Sequence, residues 1–423
     1  MPNQLLEVGL HTFLASFQQV TGIGWLAIVR YLPSVIFMLT VLAAYVFCRR
    51  RGFGWQGALF TALIPTTVGI LGPGFLVPVA VGLLFIALSL FVAFDLEGWP
   101  SYPVLGMFTL FLLSMHAATA VALVVVLIPY IVLGLKGHLR RSVGVTAALA
   151  VPFLGALIGI PAIWERLVVP SVRNVLVPQT TSPAISIPSL IAVYGVLPAL
   201  LCVAGSYGLA RRGGRTNLAL ALGALAVLLT QMVFYSFGYG SPMMYYRGFQ
   251  YAMLMMGIVA GAGLAALGGA RMPQRVAARL RMLRFYPYSG SVLCLALVAA
   301  TLWVAVPARQ STPYYHTIDA QDYQAFIWIR GNLDASYRRA ILDPWQGSAF
   351  TAITGKNVQT WTGQSTGSGQ LRVYEFLGDA CRDTQFMVKN RVSVVYAVQA
   401  VDNTDLIEVR QNVYLLKAGA GEK

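Results

Sequence analysis

Arg247, in the run Tyr245-Tyr246-Arg247-Gly248, is the side chain whose position is hardest to explain without a partner. It stands at the mouth of a long apolar stretch, where a charge is expensive unless it snorkels or meets an anion. A lipid phosphate would satisfy it through charge-assisted, bidentate bonds, with Tyr246 beside it. The plainer reading, which ranks somewhat ahead on these residues alone, is an interfacial anchor: an aromatic belt with a snorkelling arginine. His116, in Ser114-Met115-His116-Ala117-Ala118, lies at the turn between two apolar segments and could donate to a phosphate or act as a base. A lone histidine at a helix junction is more often a hydrogen-bonded structural residue.

Carboxylates that could draw a proton from a hydroxyl are few. Glu7 and His11 are four residues apart and share a helix face, as a catalytic pair or as surface charges on an amphipathic helix. Glu165 and Arg166 open a long loop, 164–187, that also carries Arg173 and Asn174. Loops of that length in compact folds are often lids or binding segments. Near the other end of the chain, Asp343-Pro344-Trp345-Gln346-Gly347-Ser348 follows a short apolar run. An acid and an aromatic there could contact a sugar or peptide; a Pro/Gly turn with a buried Trp is the simpler account.

The elements that must position these groups are set by composition. The chain has 423 residues, of which 57% are hydrophobic and 11% charged, with mean hydropathy +0.68. That is too little charge to solvate the surface of a soluble protein, so most of the chain must face lipid. Ten segments are long enough or nearly long enough to cross a bilayer: 31–48, 57–71, 75–94, 101–115, 118–135, 143–163, 188–209, 217–237, 249–268 and 288–306. The expected fold is an α-helical polytopic membrane protein of about ten transmembrane helices, residues 1–306, with a soluble α/β domain at 307–423.

Residues 1–306 carry a net charge of +14 and residues 307–423 a net of +1, so the basic excess belongs to the membrane part. It reflects topology and not nucleic-acid binding. Arg49–Arg51, the group Lys136, Arg140 and Arg141, the group Arg211, Arg212 and Arg215, and the arginines of 271–284 all fall on one side if each segment crosses once. That side is cytoplasmic by the positive-inside rule, which places the N-terminus, the loops 164–187 and 238–248, and residues 307–423 outside. The expected location is the plasma membrane, within the cell envelope, with the C-terminal domain extracytoplasmic. Segments 57–71 and 101–115 are short. Were both re-entrant, Asp95 and Glu97 would move to the outer face, away from the basic clusters; full crossing is favoured.

Residues 4–20 read as an amphipathic helix on the outer surface, and no cleavable signal peptide is expected. From Gln310 onward the pattern alternates: a helix over 318–332, a strand over 339–343, a short helix at 347–354 closing at Gly355, a helix over 371–389, and strands at 392–398 and 413–416. The cysteines have no metal-ligand spacing, so neither a disulfide nor a metal site built on Cys is expected. P-loop, dinucleotide-binding, H-E-x-x-H and G-x-S-x-G motifs are absent, which removes support for ATP-driven transport and for soluble-type hydrolysis.

This layout resembles the GT-C superfamily of membrane glycosyltransferases, which use polyprenyl-phosphate-linked sugars and include oligosaccharyltransferase catalytic subunits and mannosyltransferase-like proteins. Three features carry the resemblance: Leu71-Gly72-Pro73-Gly74-Phe75-Leu76-Val77-Pro78 followed by Ser114-Met115-His116; Tyr246-Arg247 at the outer start of a late span; and Asp322…Trp328-Ile329-Arg330 with Asp343-Pro344-Trp345…Gly347-Ser348 in the outer domain. It implies transfer of a sugar from a polyprenyl-phosphate donor to a glycan, lipid or protein acceptor on the outer face, with membrane lipid as a partner and no nucleic acid. Arg247, Tyr246, His116 and Arg173 would hold the donor phosphate, and Asp343 and Trp345 the acceptor. Glu165 or Glu7 would supply the catalytic carboxylate. The cofactor is undetermined, with a divalent metal an open option for which no ligand set can be named.

The sequence departs from the family at its start. The family places an acidic motif in the first outer loop, after a first helix, and here the chain begins at about the amphipathic segment that follows that loop. A truncated N-terminus, a stand-in acid (Glu7, Glu165, or Asp95 and Glu97) or an inactive protein would each account for this. A carrier or flippase for a lipid-linked substrate, and a non-catalytic scaffold with an extracytoplasmic binding domain, are the alternatives from other classes. The near absence of ionisable groups in the spans counts against transport.

Overall fold

A computed structural model describes residues 8–66, 72–159, 169, 173, 177–178, 186–269, 289–310, 318–333, 339–359 and 367–417. The chain divides into two compact units, Met1–Ser311 and Thr312–Lys423.

The first unit is a helical bundle. Its described helices are α1 (Val8–Thr21), α2 (Trp25–Arg49), α3 (Gly54–Ala62), α4 (Pro78–Asp95), α5 (Ser101–Met115), α6 (Ala117–Gly134), α7 (Leu139–Gly159), α8 (Ile187–Tyr194), α9 (Val196–Arg212), α10 (Arg215–Phe237), α11 (Pro242–Gly268) and α12 (Ser289–Gln310). Among the described residues seven helices are long and apolar enough to cross a membrane, namely α2, α4, α6, α7, α10, α11 and α12. They match seven of the ten expected segments. The other three differ from plain spans. Segment 57–71 supplies only the nine-residue α3, which stops at Leu63 ahead of Pro65, and residues 67–71 lie outside the described ones. Segment 101–115 is the 15-residue α5, about 22 Å long at 1.5 Å per residue, short of a hydrocarbon core of about 30 Å. Segment 188–209 is broken at Gly195, whose φ of 116° is open only to glycine, into α8 and α9.

Three arginines tie one end of this bundle together. Arg51, just beyond α2, makes a bidentate ion pair with Asp95 at the end of α4, with both N–O distances 2.9 Å. Arg141 of α7 donates to the α4 carbonyls of Val92 and Ala93, to the carbonyl of Leu96 and to Ser101 Oγ at the start of α5. Arg215 of α10 donates to the Tyr130 carbonyl of α6 and to Ser142 Oγ of α7, and lies 3.8 Å from the centre of the Tyr130 ring. Each guanidinium thus takes the orphan carbonyls of a helix C-terminus or an acid beside one. Helices α2 and α4 therefore both end here and run in the same direction through the bundle. Asp95 thus lies at the end that holds Arg49–Arg51.

Helix α11 is the hub, packed by small residues. A Cβ on Gly205 of α9 would lie 1.9 Å from the Val259 carbonyl oxygen, and one on Gly263 would lie 2.1 Å from the Leu201 carbonyl oxygen. A Cβ on Gly261 would lie 2.5 Å from the backbone nitrogen of Gly57 in α3. In lipid, where apolar side chains gain nothing by avoiding solvent, such close backbone approach is a main source of helix association. Helix α1 lies across the end of α5: Leu10 and Leu14 are buried, Phe13 meets Phe111 edge-on, and Gly9 abuts the Ser114 carbonyl.

The second unit is a small α/β layer. Its elements are α13 (Ala320–Asn332), β1 (Arg339–Ile341), α14 (Gly347–Thr354), β2 (Asn357–Val358), α15 (Gly367–Gly378), α16 (Thr384–Lys389), β3 (Val394–Tyr396), β4 (Leu406–Arg410) and β5 (Val413–Leu416). The sheet order is β2-β1-β3-β5-β4, with β1 parallel to β2 and β3, and β5 antiparallel to β3 and β4. Alternation along the strands sends Ala340, Leu342, Val394 and Tyr396 toward Phe326 and Phe350, and Ile341 and Val395 toward Val373, Phe376 and Met387. Asp319 and Asp322 form a capping box that starts α13, and Gly355 in the left-handed region ends α14 as expected. The helix expected over 371–389 is two helices, because Ala380 and Cys381 adopt positive φ and Asp383 caps α16 anew. Strands β2 and β4 went unread. The first has two residues, and the second is largely exposed and irregular in register between Glu408 and Arg410.

Candidate functional site

Since α10 starts at the arginine-tied end, α11 starts at the opposite end, and so does α6, whose C-terminus Arg215 binds. These starts bring Arg247 and His116 together. Arg247 sits in the second turn of α11, half-buried, four residues before Tyr251, whose hydroxyl lies 3.4 Å from His116 Nδ1. Tyr251 is one helical turn further along α11 and so shares the Arg247 face. Among the described residues no acid forms an ion pair with Arg247.

His116 is the N-cap of α6, in extended backbone, and 1% exposed. Its Nδ1 lies 2.9 Å from Thr119 Oγ1, which is itself 2.5 Å from Tyr251 Oη. Thr119 is held from behind by α4: a Cβ on Gly82 would lie 2.6 Å from Thr119 Cγ2. Nε2 of His116 is buried and has no hydrogen-bond partner among the described residues. An orphan of that kind costs about 1–3 kcal/mol, which an incoming acceptor would recover.

On the other side of Arg247 the surface is aromatic. Phe234 stacks on Tyr245 at 4.7 Å, and Tyr245 meets Tyr246 and Phe249 edge-on. Tyr246 is half-buried within this group. Gln231 of α10 packs on the bare backbone of Gly248, where a Cβ would lie 1.9 Å from its Nε2, and its Oε1 is buried without a partner among the described residues. The start of α11 is therefore flanked by a cation, two unsatisfied polar atoms and an apolar wall.

Of the other residues singled out from the sequence, Arg173 is exposed, and no described contact joins its side chain to Arg247 or His116. Glu7 and Glu165 lie outside the described residues, as does Arg166. His11 is exposed on α1. Asp95, considered as a stand-in acid, is committed to Arg51 at the opposite end from Arg247, and Glu97 is two residues beyond it. Neither is placed to serve the His116 site. Among the described residues no three His, Cys, Asp or Glu side chains come together to hold a metal ion.

In the second unit Asp343 and Trp345 follow the carboxyl end of β1. Asp343 Oδ1 accepts from the Trp345 amide at 2.9 Å, and its carbonyl accepts from the Gln346 amide, which closes the turn into α14. The Trp345 side chain hydrogen-bonds Tyr374 of α15, whose phenol is raised by burial first and then by the Asp343 carboxylate. Asp322 is a second acid here, buried and hydrogen-bonded: it accepts from the Asp319 amide, Gln346 Nε2 and the Tyr396 hydroxyl.

Thr119, Tyr251 and Gln231 were missed from sequence. Their only signals were the intervals His116-to-Thr119 and Arg247-to-Tyr251, three and four residues, both of which place side chains on one helix face.

No family model matches the sequence, and no curated protein sequence does. Solved structures do match by fold. The oligosaccharyltransferase of Archaeoglobus fulgidus in its apo form superposes with a TM-score of 0.57 at 13% identity, over 87% of this chain and 58% of that one. The archaeal oligosaccharyltransferase from the same organism, bound to an inhibitory peptide and a dolichol-phosphate, gives 0.53 at 12% identity over the same shares. A third structure, tethered to an acceptor peptide containing the NVT sequon, gives 0.54 at 11% identity over 93% of this chain and 60% of that one. This chain therefore spans about three fifths of the length of the structures it matches, and shares their fold.

Proposed function

We propose that this chain is a membrane glycosyltransferase that moves a sugar from a polyprenyl-phosphate donor to an acceptor at the outer face. The observation that carries the reading is the meeting of Arg247 with the buried His116–Thr119–Tyr251 group at the end of the bundle away from the clustered arginines. A similar fold in an oligosaccharyltransferase solved with dolichol-phosphate supports it. In this reading Arg247 neutralises the phosphate that departs from the sugar, Tyr246 flanks it, and His116 adds a donor. Arg173 belongs to the same role. A carboxylate draws the proton from the acceptor, and Glu7 and Glu165 are the acids left for it. Asp343 and Trp345 bind acceptor from an extracytoplasmic second unit, and the seven long helices, with the broken or shorter segments 57–71, 101–115 and 188–209 bringing the count to about ten, carry the chain through the plasma membrane.

The test is transfer from a polyprenyl-phosphate-linked sugar by purified protein in lipid. Loss of a charge-assisted phosphate contact in Arg247→Ala should lower kcat/KM by roughly 10- to 100-fold, with Arg247→Lys recovering part of it. Full activity in Arg247→Ala would remove the reading. Movement of the lipid across vesicles without sugar transfer would replace it with a carrier.

A further inference from the structure

The imidazole of His116 can hold its proton on either nitrogen, and its two hydroxyl neighbours decide which. Nδ1 is 2.9 Å from Thr119 Oγ1 and 3.4 Å from Tyr251 Oη, and the two oxygens are 2.5 Å apart. With Nδ1 bare, both hydroxyl protons find acceptors: Tyr251 donates to Thr119, and Thr119 donates to Nδ1. With Nδ1 protonated, the ring donates to Thr119 and Thr119 donates to Tyr251. The Tyr251 proton then has no acceptor among the described residues, and Tyr251 is 1% exposed. The same count disfavours a doubly protonated ring. Proton supply therefore leaves the hydrogen on Nε2, the atom that is buried and has no partner among the described residues.

We infer that Thr119 and Tyr251 are positioning residues that lock His116 as the Nε2–H tautomer, so that His116 and Arg247 offer donors from two helices to one phosphoryl group. This rests on the phosphate-binding reading above and specifies how that site is built. It also assigns Gly82 a part, since its missing side chain leaves the space in which Thr119 faces Tyr251.

The experiment is nitrogen-15 NMR of the full chain labelled at its histidines, in lipid nanodiscs, with and without added phosphate. The chain has four histidines, so His116→Gln identifies the signal. The expected wild-type pattern is one bare Nδ1 and one protonated Nε2, with the Nε2 resonance moving as phosphate binds. A polyprenyl monophosphate built into the disc and inorganic phosphate in solution serve as separate probes. A response to both assigns the site to the phosphoryl group, and a response to the first alone assigns it to the lipid headgroup. Tyr251→Phe and Thr119→Val should each yield mixed tautomers and weaken phosphate binding roughly tenfold, while Thr119→Ser restores both. A wild-type ring protonated at Nδ1, a pattern unchanged in Tyr251→Phe and Thr119→Val, or a resonance indifferent to both phosphates would overturn the inference. A phosphate-responsive His116 in a protein that transfers no sugar would uphold it and count only against the proposed reaction.

Discussion

Arg51 and Arg247 have the same side chain and opposite situations. The first is 7% exposed, paired with Asp95 and stacked 4.0 Å from the centre of the Phe47 ring. The second is half-buried, with no described acid beside it. Removing the partner of a buried charge costs more than the pair contributes, because the remaining charge is stranded. Asp95→Ala should therefore destabilise the detergent-solubilised chain by about 3–5 kcal/mol, and the double replacement Arg51→Met with Asp95→Leu should recover most of it. Thermal melting of the three variants checks this. Arg247→Ala, by the same logic, should leave the melting temperature unchanged or higher while phosphate binding falls. Cys381 allows a chemical test in the second unit. Burial pushes its thiol up to about 11, against an ordinary cysteine near roughly 8.5, so little thiolate forms at pH 8. Maleimide should leave it unmodified in the folded chain and modify it in denaturant; rapid labelling under native conditions would contradict its placement.

At the scale of elements, backbone contact decides the bundle. The glycines of α9 and α11 face carbonyl oxygens of the other helix at distances that admit no side chain. Gly263→Leu should separate these helices and abolish the folded bundle, read as loss of a monodisperse peak on size-exclusion chromatography. Gly82→Ala is a milder probe, because the added methyl meets the Thr119 side chain and not backbone. It should preserve folding yet disturb the His116 group, with phosphate affinity falling several-fold. Equal affinity in Gly82→Ala would show that Thr119 has room to move.

For the whole molecule, the arginine-tied end sets which way the bundle faces. Among the described residues seven helices are long and apolar enough to span, and Arg49, Arg50, Arg211 and Arg212 lie close in sequence to where Arg51, Arg141 and Arg215 make their bonds. In the proposed reading the positive-inside rule assigns that end to the cytoplasm. Single cysteines at Arg212 and Lys389 should therefore react with an impermeant thiol reagent from opposite faces of the membrane, Lys389 from outside. Reaction from the same face would place the second unit, and any acceptor it holds, in the wrong compartment for the proposed reaction.

Composition and charge alone determined the membrane character, seven of the helices, the clustering of arginines at one end and the alternating second unit. These follow from two local rules that need no partner: about twenty apolar residues are required to span lipid, and lysine and arginine gather on one face of it. Arg247 and His116 were also visible as single residues, because a charge or imidazole beside an apolar run is conspicuous. Their meeting was not. It depends on the directions in which α6 and α11 run, and on Thr119, Tyr251 and Gly82, residues too ordinary in a membrane helix to draw notice. The break at Gly195, the short α3 and the split of the helix expected over 371–389 were likewise settled by tertiary packing. Hydropathy sums over a window and cannot register one residue with a positive φ. Proximity between residues 135 apart, as His116 and Tyr251 are, is a property of the bundle and of no segment within it.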